Sequence, residues 1–540
     1  MSWTLKEKYR LLLSREGSYH KKVWGEALNI CLAYPHAYQT GMSSLGFQTV
    51  YDLFNRHPLG RCERVFLPAP DEEAEFTRGG IPLFSLESQR PLTDFDVIAF
   101  SLSFENDYPN VLKMLALGGV PLLAMDREER APLVLGGGIA ATLNPEPLTD
   151  FFDLFLLGEA EEAIGPFLDV AVAALRSRTA KEQMLLRLQR EVAGAYVPRF
   201  YQVSYREKGW IGERRPLYDG LPVKIKKARL ADIDSCQTEQ CLTTAATELG
   251  GMHLVEVSRG CRRGCRFCAA GHVCLPVRFR KAELLRPSLL KALEGGRKIG
   301  LLGTAVSDHP DLLALCRFIR ERGGKVAIGS LRLDKVEPEL IRMLKEGGTE
   351  TLALAPEAGS QRLRDLICKG IGEEQIERAA VLLNEQGIAN LRLYFMTGLP
   401  EEEEEDIGAI IQLTERIKDL PGKRRFKRIT LSINQFIPKA GTPFERCPLA
   451  NVEVVKKRVR RIAAAFRRDP VVRVLHDLPK WNYIQTLLSL GDRRVGAILL
   501  AVHRSGGNWS QALREAAVVP DFYVYRQKEP AELLPWDFIA

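Results

Sequence analysis

Three cysteines, Cys261, Cys265 and Cys268, stand in a CxxxCxxC spacing within Glu256-Val-Ser-Arg-Gly-Cys-Arg-Arg-Gly-Cys-Arg-Phe-Cys268. Thiolates so spaced, on a glycine-containing loop after an apolar run, can reach one small inorganic cluster. A cube of four irons takes four ligands, so three protein thiolates leave one iron open to bind something else. That open corner separates a catalyst from an electron carrier. Three plainer readings stand beside it. A structural zinc site wants a fourth Cys or His, and His272 and Cys274 are near in sequence. A four-thiolate cluster completed by Cys274 makes an electron carrier. Buried, inert thiols need no metal. Arg259, Arg262, Arg263 and Arg266 crowd the loop, where they favour thiolate and offset a cluster's negative charge, unless they are ordinary surface arginines.

Such a loop needs a scaffold, and the following residues supply an alternation of strand and helix. Apolar runs at His253–Val257, Lys298–Leu302, Lys325–Gly329, Thr351–Ala355, Asn390–Phe395 and Ile429–Gln435 read as strands. Between them, Lys281–Leu293, Pro310–Arg322, Glu337–Glu346, Glu373–Gln386 and Glu402–Lys418 carry apolar residues at spacings of three and four, as helices packed on a sheet do. Six βα units with short connections imply parallel strands, right-handed crossovers and a partial (β/α)6 TIM-like barrel. In that architecture the site lies at the C-terminal strand ends, where the cysteine loop falls.

Residues 26–170 show a separate α/β pattern. Ala27–Tyr34, Arg64–Leu67, Phe95–Ser101, Leu133–Gly136 and Leu154–Leu157 read as buried strands, with helices at Ser44–Asn55 and Asn110–Gly118. That predicts a doubly wound sheet of the Rossmann or flavodoxin type. Gly136–Gly138 and Gly158 sit at strand ends, where glycine either admits a ligand to the backbone or makes a tight turn. The expected order is thus a Rossmann-like domain over 1–170, a connector over 171–247, the barrel over 248–470 and a small C-terminal extension over 471–540.

The chain has 540 residues, 46% hydrophobic and 27% charged, with a net charge of +8. That length needs more than one core, and the composition is that of a folded soluble protein. No apolar run is long enough to span a membrane, and Met1–Arg10 lacks the apolar core of a secretion signal. Eleven cysteines, an odd number, suit free thiols and metal ligands, so a cytoplasmic location is expected. Cys236 and Cys241 are read as ordinary thiols rather than ligands of an auxiliary cluster. Fifteen Lys/Arg against three acids lie between Pro421 and Leu475, densest at Lys423–Arg428 and Lys456–Arg461. A solvated helix face is the plain account, and an RNA partner is the sharper one.

Cys261, Cys265 and Cys268, with Phe267 before the third cysteine and a strand before the loop, resemble the signature of the radical S-adenosylmethionine (SAM) superfamily. The resemblance implies a 4Fe-4S cluster whose open iron chelates SAM. It also implies a reducing donor of flavodoxin or ferredoxin type, and cleavage of SAM to methionine and a 5′-deoxyadenosyl radical. Further residues match one by one. Gly303 and Thr304 lie where the family usually has a Gly-Gly-Glu-like turn for the SAM ammonium, but the acid is missing, leaving backbone contacts. Ala355-Pro-Glu-Ala-Gly-Ser360 resembles the methylthiotransferase-like branch, with Glu357 toward a ribose hydroxyl or ammonium and Ser360 toward the carboxylate. Ser360 is equally a helix N-cap. Arg364 would reach a carboxylate, or be a solvated helix arginine. Phe436 and Ile437 would pack the adenine, or belong to the core. The acids of Glu401–Asp406 are read as a helix first turn.

The N-terminal pattern, with Leu135-Gly-Gly-Gly138, Asn144-Pro-Glu-Pro147 and Leu157-Gly-Glu159, resembles the cobalamin-binding-like domain fused to many members of that superfamily. No Asp-x-His-x-x-Gly occurs, so no lower axial histidine is offered, and His36 is read as a loop residue. Such domains bind cobalamin or no ligand. The resemblance therefore implies a radical SAM enzyme on an unassigned substrate, with cobalamin-dependent methyl transfer or tRNA methylthiolation as variants. A non-catalytic iron–sulfur electron-transfer protein is the alternative of another class.

Overall fold

The computed structural model describes residues 2–17, 22, 24, 27–247, 249, 251–329, 331–420 and 424–540. Met1, Pro421 and Lys423, which entered the sequence reading, lie outside the described residues. The first sheet is built from β1 (Leu28–Tyr34), β2 (Gly60–Phe66), β3 (Val97–Ser101), β4 (Leu133–Gly137), β5 (Leu154–Leu156) and β6 (Ala195–Tyr196). Its order is β2-β1-β3-β4-β5-β6, parallel throughout except for β6 against β5. β1, Leu-Asn-Ile-Cys-Leu-Ala-Tyr, is buried at all seven positions because helices cover both faces. This is the flavodoxin-like winding, and ligands of such sheets bind outside the strand ends where the order reverses. The helix Leu45–Arg56 starts there, capped by the Ser44 hydroxyl, which accepts from the Phe47 N–H. β6 extends this sheet into the segment expected to be connector, which also forms a hairpin of β7 (Tyr201–Tyr205) and β8 (Ile211–Pro216).

All six expected barrel strands are present. β9 (His253–Arg259), β11 (Ile299–Gly303) and β12 (Val326–Ile328) run parallel, with β10 (Arg278–Phe279) antiparallel on the edge of β9. β13 (Thr351–Glu357), β14 (Asn390–Thr397), β15 (Arg428–Gln435) and β16 (Val472–His476) form a second parallel sheet. β16 is a seventh parallel strand that the sequence reading assigned to the C-terminal extension. Among the described residues no ladder joins β12 to β13, so the wall is two parallel arcs rather than a closed barrel. Leu391, Leu393 and Phe395 of β14 point to the surrounding helices and are fully buried, while Arg392, Tyr394 and Met396 alternate toward the inside and are half-buried.

The C-terminal segment is not a separate appendage. Its helices Pro479–Leu490 and Val495–Arg504 place Ile484, Leu487, Leu488, Ile498, Leu499 and Val502 in the same core as the first sheet. Arg493 beside them binds Glu146 at 3.0 Å, and Tyr196 and Arg214 meet the same carboxylate. Apolar helix faces need a partner, and the first sheet provides it. Among the described residues no helix is long and apolar enough to cross a membrane.

Candidate functional site

The cysteine loop leaves the end of β9 through Gly260, whose φ of +81° puts it in the left-handed region. A Cβ there would stand 2.4 Å from the Cys274 carbonyl oxygen, so the turn requires glycine. Gly264 adds a second left-handed turn, and the Cys268 N–H donates to the Cys265 carbonyl at 3.0 Å. The loop is tied across the barrel mouth by Arg266 N–H to the Ile367 carbonyl, 3.0 Å, beyond the end of β13. His272 Nε2 donates to the Cys265 carbonyl at 3.1 Å, which holds its ring against the loop.

Cys265 is buried, whereas Cys261 and Cys268 are half-buried. Burial lifts the Cys265 thiol above its ordinary value; Lys369 and Arg332 oppose this, while Cys268 and Cys261 add to it. The three sulfurs therefore share one electrostatic neighbourhood, with cations facing it. Among the described residues no three His, Cys, Asp or Glu side chains converge closely enough for a single metal ion. A four-iron cube is wider than one ion, and a donor set of three thiols without a carboxylate is the kind it takes.

The four loop arginines divide into two pairs. Arg259 is held by Glu159 at 3.1 Å, Glu161 at 2.8 Å and Glu256 at 2.9 Å, and Arg263 by Asp308 at 2.5 Å and Asp334 at 3.3 Å. Arg262 and Arg266 are exposed.

Gly303 and Thr304, at the end of β11, line a cavity of about 1250 Å3 that opens between the first sheet and the residues flanking the cysteine loop, Ser258, Arg259 and residues 272–275; none of the three cysteines is in its wall. A Cβ on Gly303 would stand 2.3 Å from Ser258 Oγ, so glycine is demanded by β9 itself. Ser258, missed by the sequence reading, lines the same cavity; its hydroxyl is buried and among the described residues has no hydrogen-bond partner. An orphaned buried hydroxyl costs free energy unless a ligand meets it. Glu357 ends β13 with φ +68°, uncommon for a residue with a side chain, and binds Lys369 at 2.9 Å. Lys369 in turn faces Cys265, which links Glu357 to the cysteines.

The other expected contacts fall elsewhere. The Ser360 hydroxyl caps the helix Gln361–Leu366, accepting from the Leu363 N–H at 3.2 Å, and donates to Asp406. Arg364 is fully buried rather than solvated, and its guanidinium donates to the Ala358 and Gly359 carbonyls at 3.1 and 2.8 Å. It positions the turn that carries Ser360. Phe436 is packed with Ala358, Leu363, Ile367, Leu399 and Phe444, and Phe267 leans on that cluster, so both anchor the loop. Ile437 packs against the core of the first sheet. Of the acidic run Glu401–Asp406, Glu404–Asp406 form the first turn of a helix as expected, Glu403 is its N-cap, and Glu401 and Glu402 lie before it.

On the other side, the cavity is walled by the ends of β3, β4 and β5, by Leu45–Val50 and by Gly136–Gly138 and Gly158. Gly138 and Gly158 are required by close backbone packing, and all four glycines line the cavity. A Cβ on Gly138 would stand 2.5 Å from the Leu102 carbonyl oxygen, and one on Gly158 2.1 Å from that of Ala228. His36 is exposed and does not line the cavity, while His272 and Cys274 do so from the barrel side. Cys241 donates to the Gln48 carbonyl, and burial pushes its thiol up to about 12. In the basic stretch, Lys456, Arg458 and Arg461 are paired with Glu453, Glu402 and Glu404. Arg424, Arg425 and Lys427 precede β15 and Arg428 opens it, at the opposite strand ends from the cysteines.

Residues 46–198 match the family described as radical SAM proteins, N-terminal, and residues 255–414 match the radical SAM superfamily. An uncharacterized protein of Methanocaldococcus jannaschii is 28% identical over 482 residues, 87% of this chain and 90% of the relative. An uncharacterized methyltransferase of Pyrococcus horikoshii is 24% identical over 321 residues, 58% of this chain and 64% of the relative. Among solved structures, the cobalamin-dependent SAM radical enzyme OxsB with aqua-cobalamin bound superposes with a TM-score of 0.48 at 15% identity. That likeness covers 88% of this chain and 66% of OxsB.

Proposed function

The chain belongs to the radical SAM superfamily, and on that premise we propose that Cys261, Cys265 and Cys268 hold a 4Fe-4S cluster beside a SAM site. When bound, the cluster supplies the electron that splits SAM into methionine and a 5′-deoxyadenosyl radical. The chain's part is to hold, orient and shield. Gly303 and Thr304 offer backbone atoms to the amino-acid end of SAM, and the orphaned Ser258 hydroxyl is aimed into the same space. Glu357, held in its unusual backbone conformation, faces the sugar or ammonium, with Lys369 fixing its carboxylate. Ser360 and Arg364 build the turn behind it. Phe267, Phe436 and Phe444 keep the loop dry from below.

The single observation that carries the fuller reading is the cavity of about 1250 Å3 joining the ends of β9 and β11, which flank the cysteine loop, to the ends of the first sheet. It exceeds the roughly 300–1000 Å3 that a drug-sized ligand fills. A corrinoid fits that size, and when bound it supplies a carrier for a methyl group. The methyltransferase name of the Pyrococcus relative supports the same class. Exposed Arg262 and Arg266 suit an acidic reducing partner of flavodoxin or ferredoxin type. Free thiols throughout accord with the reducing cytoplasm. The basic stretch does not favour RNA, since its helix is largely paired with acids.

The test is anaerobic reconstitution with iron and sulfide, followed by dithionite and SAM. Wild type should form 5′-deoxyadenosine, and Cys265→Ala should lose both cluster absorbance and product. An unchanged iron content and spectrum in Cys265→Ala would sink the reading.

A further inference from the structure

The segment Lys224–Arg229 crosses the mouth of the large cavity, and Lys226, Lys227 and Arg229 line it. This run is locked on both sides by backbone. Ala228 donates to the Leu157 carbonyl at 2.9 Å and accepts from the Glu159 N–H at 2.8 Å, while Ile225 donates to the Phe538 carbonyl at 2.7 Å. The Leu230 N–H is taken by the Glu159 carboxylate at 2.8 Å. The backbone carrying three cations is thus fixed at one rim, with the Lys227 side chain half-buried and those of Lys226 and Arg229 exposed.

They outnumber the acids free to pair with their side chains. The carboxylates around the cavity are those of Glu159, Glu161, Glu162 and Glu256 and the terminal one of Ala540, which accepts from the Lys227 N–H at 3.2 Å. Glu159 is bound by Arg259 and Arg278, Glu161 by Arg259, and Glu256 by Arg259 and Arg280. Glu162 is exposed. Among the described residues no carboxylate pairs with the side chain of Lys226, Lys227 or Arg229. Lys227 is half-buried, and burial lowers its ammonium below the usual value; Arg229 adds to this and the Cys274 thiol opposes it. A desolvated ammonium without a partner is unfavourable in the empty protein. Otherwise the cavity wall is mainly apolar, from Leu32, Ala99, Phe100, Leu135 and Leu156 inward.

We propose that the ligand of this cavity carries a phosphate, which docks on Lys227 with Lys226 and Arg229 while the apolar body fills the space behind. This rests on reading the cavity as a ligand site, and deepens the corrinoid reading by naming the group that anchors the ligand. Charge-assisted contacts to a phosphate are the strong kind, and a half-buried rim weakens them less than open water does.

The test uses the full-length protein with hydroxocobalamin, which has a phosphodiester tail, and cobinamide, which has the same ring without it. Wild type should prefer hydroxocobalamin by about tenfold or more, and Lys227→Ala/Arg229→Ala should cut that preference to about twofold. Unchanged cobinamide binding in the variant shows that it folds, and Lys227→Arg should restore most of the preference. Equal preference in wild type and variant overturns the phosphate while leaving the corrinoid reading intact. If neither corrinoid binds, the corrinoid reading fails, and an anionic apolar dye, anilinonaphthalene sulfonate, decides the anion site against neutral Nile red. Loss of the anionic dye alone in the variant supports the site. Equal retention of both dyes overturns it.

Discussion

The two halves of the molecule bury their strands differently. β1 is covered at every position, whereas β14 alternates fully buried residues with half-buried ones. The first sheet uses both faces to hold itself together, so only its strand ends remain for a ligand. The barrel arc packs one face on helices and keeps the other for the interior, where Arg392, Tyr394 and Met396 point. The first half contributes a rim and the second a chamber, and the cavity lies where they meet.

The sharpest test of that contrast is Phe155→Ala in β5. Phe155 is fully buried, with its ring 4.8 Å from Phe152 and 6.1 Å from Tyr196. Truncation should cost about 3–5 kcal/mol in denaturant unfolding. A loss under about 1 kcal/mol would mean that this sheet is not the rigid half.

Glu146 gives the next largest effect, because it joins the first sheet to the C-terminal helices. Burial alone would raise its carboxyl, but Arg493 and Arg214, with hydrogen bonds from Arg493 and Tyr196, bring it from 4.5 down to about 2. A folded-state value below the unfolded one stabilises above about pH 4.5, and this is lost as pH falls toward 2. The linkage amounts to about 3 kcal/mol at neutral pH. Glu146→Gln should therefore be less stable by about that much at pH 7, with the gap to wild type closing through the acid window. A gap that ignores pH would remove the ion pair from the account.

Much of this was legible in the chain. Parallel strands buried on both faces read as continuous apolar runs, which is why β1 and β3 were found within a residue or two. The cysteine loop was legible because spacing, glycines and the preceding strand all agree. β16 was missed because Val-Arg-Val-Leu-His is short and interrupted by charge, and among the described residues it pairs only with β15, across a helix. Ser258 was invisible because nothing in its neighbours announces an orphaned hydroxyl. Arg364 misled for the opposite reason: a helix arginine reads as exposed, and only the fold shows its guanidinium turned onto two carbonyls. The sharing of one core by the first sheet and residues 479–504 depends on contacts more than 300 positions apart, which no local pattern carries.

The smallest expected effect is the most discriminating for the chamber. Tyr394 and Phe395 are neighbours on β14 with opposite directions: Phe395 is fully buried against the helices, and Tyr394 is half-buried inside. Among the described residues the Tyr394 hydroxyl has no hydrogen-bond partner, so Tyr394→Phe removes nothing that the empty protein uses. Its unfolding free energy should move by less than about 0.5 kcal/mol, whereas Phe395→Ala should cost about 3–5 kcal/mol. Paired unfolding curves of the two variants check this directly. If Tyr394→Phe costs as much as Phe395→Ala, the inner face is core like the outer one, and the chamber assigned to the barrel does not exist.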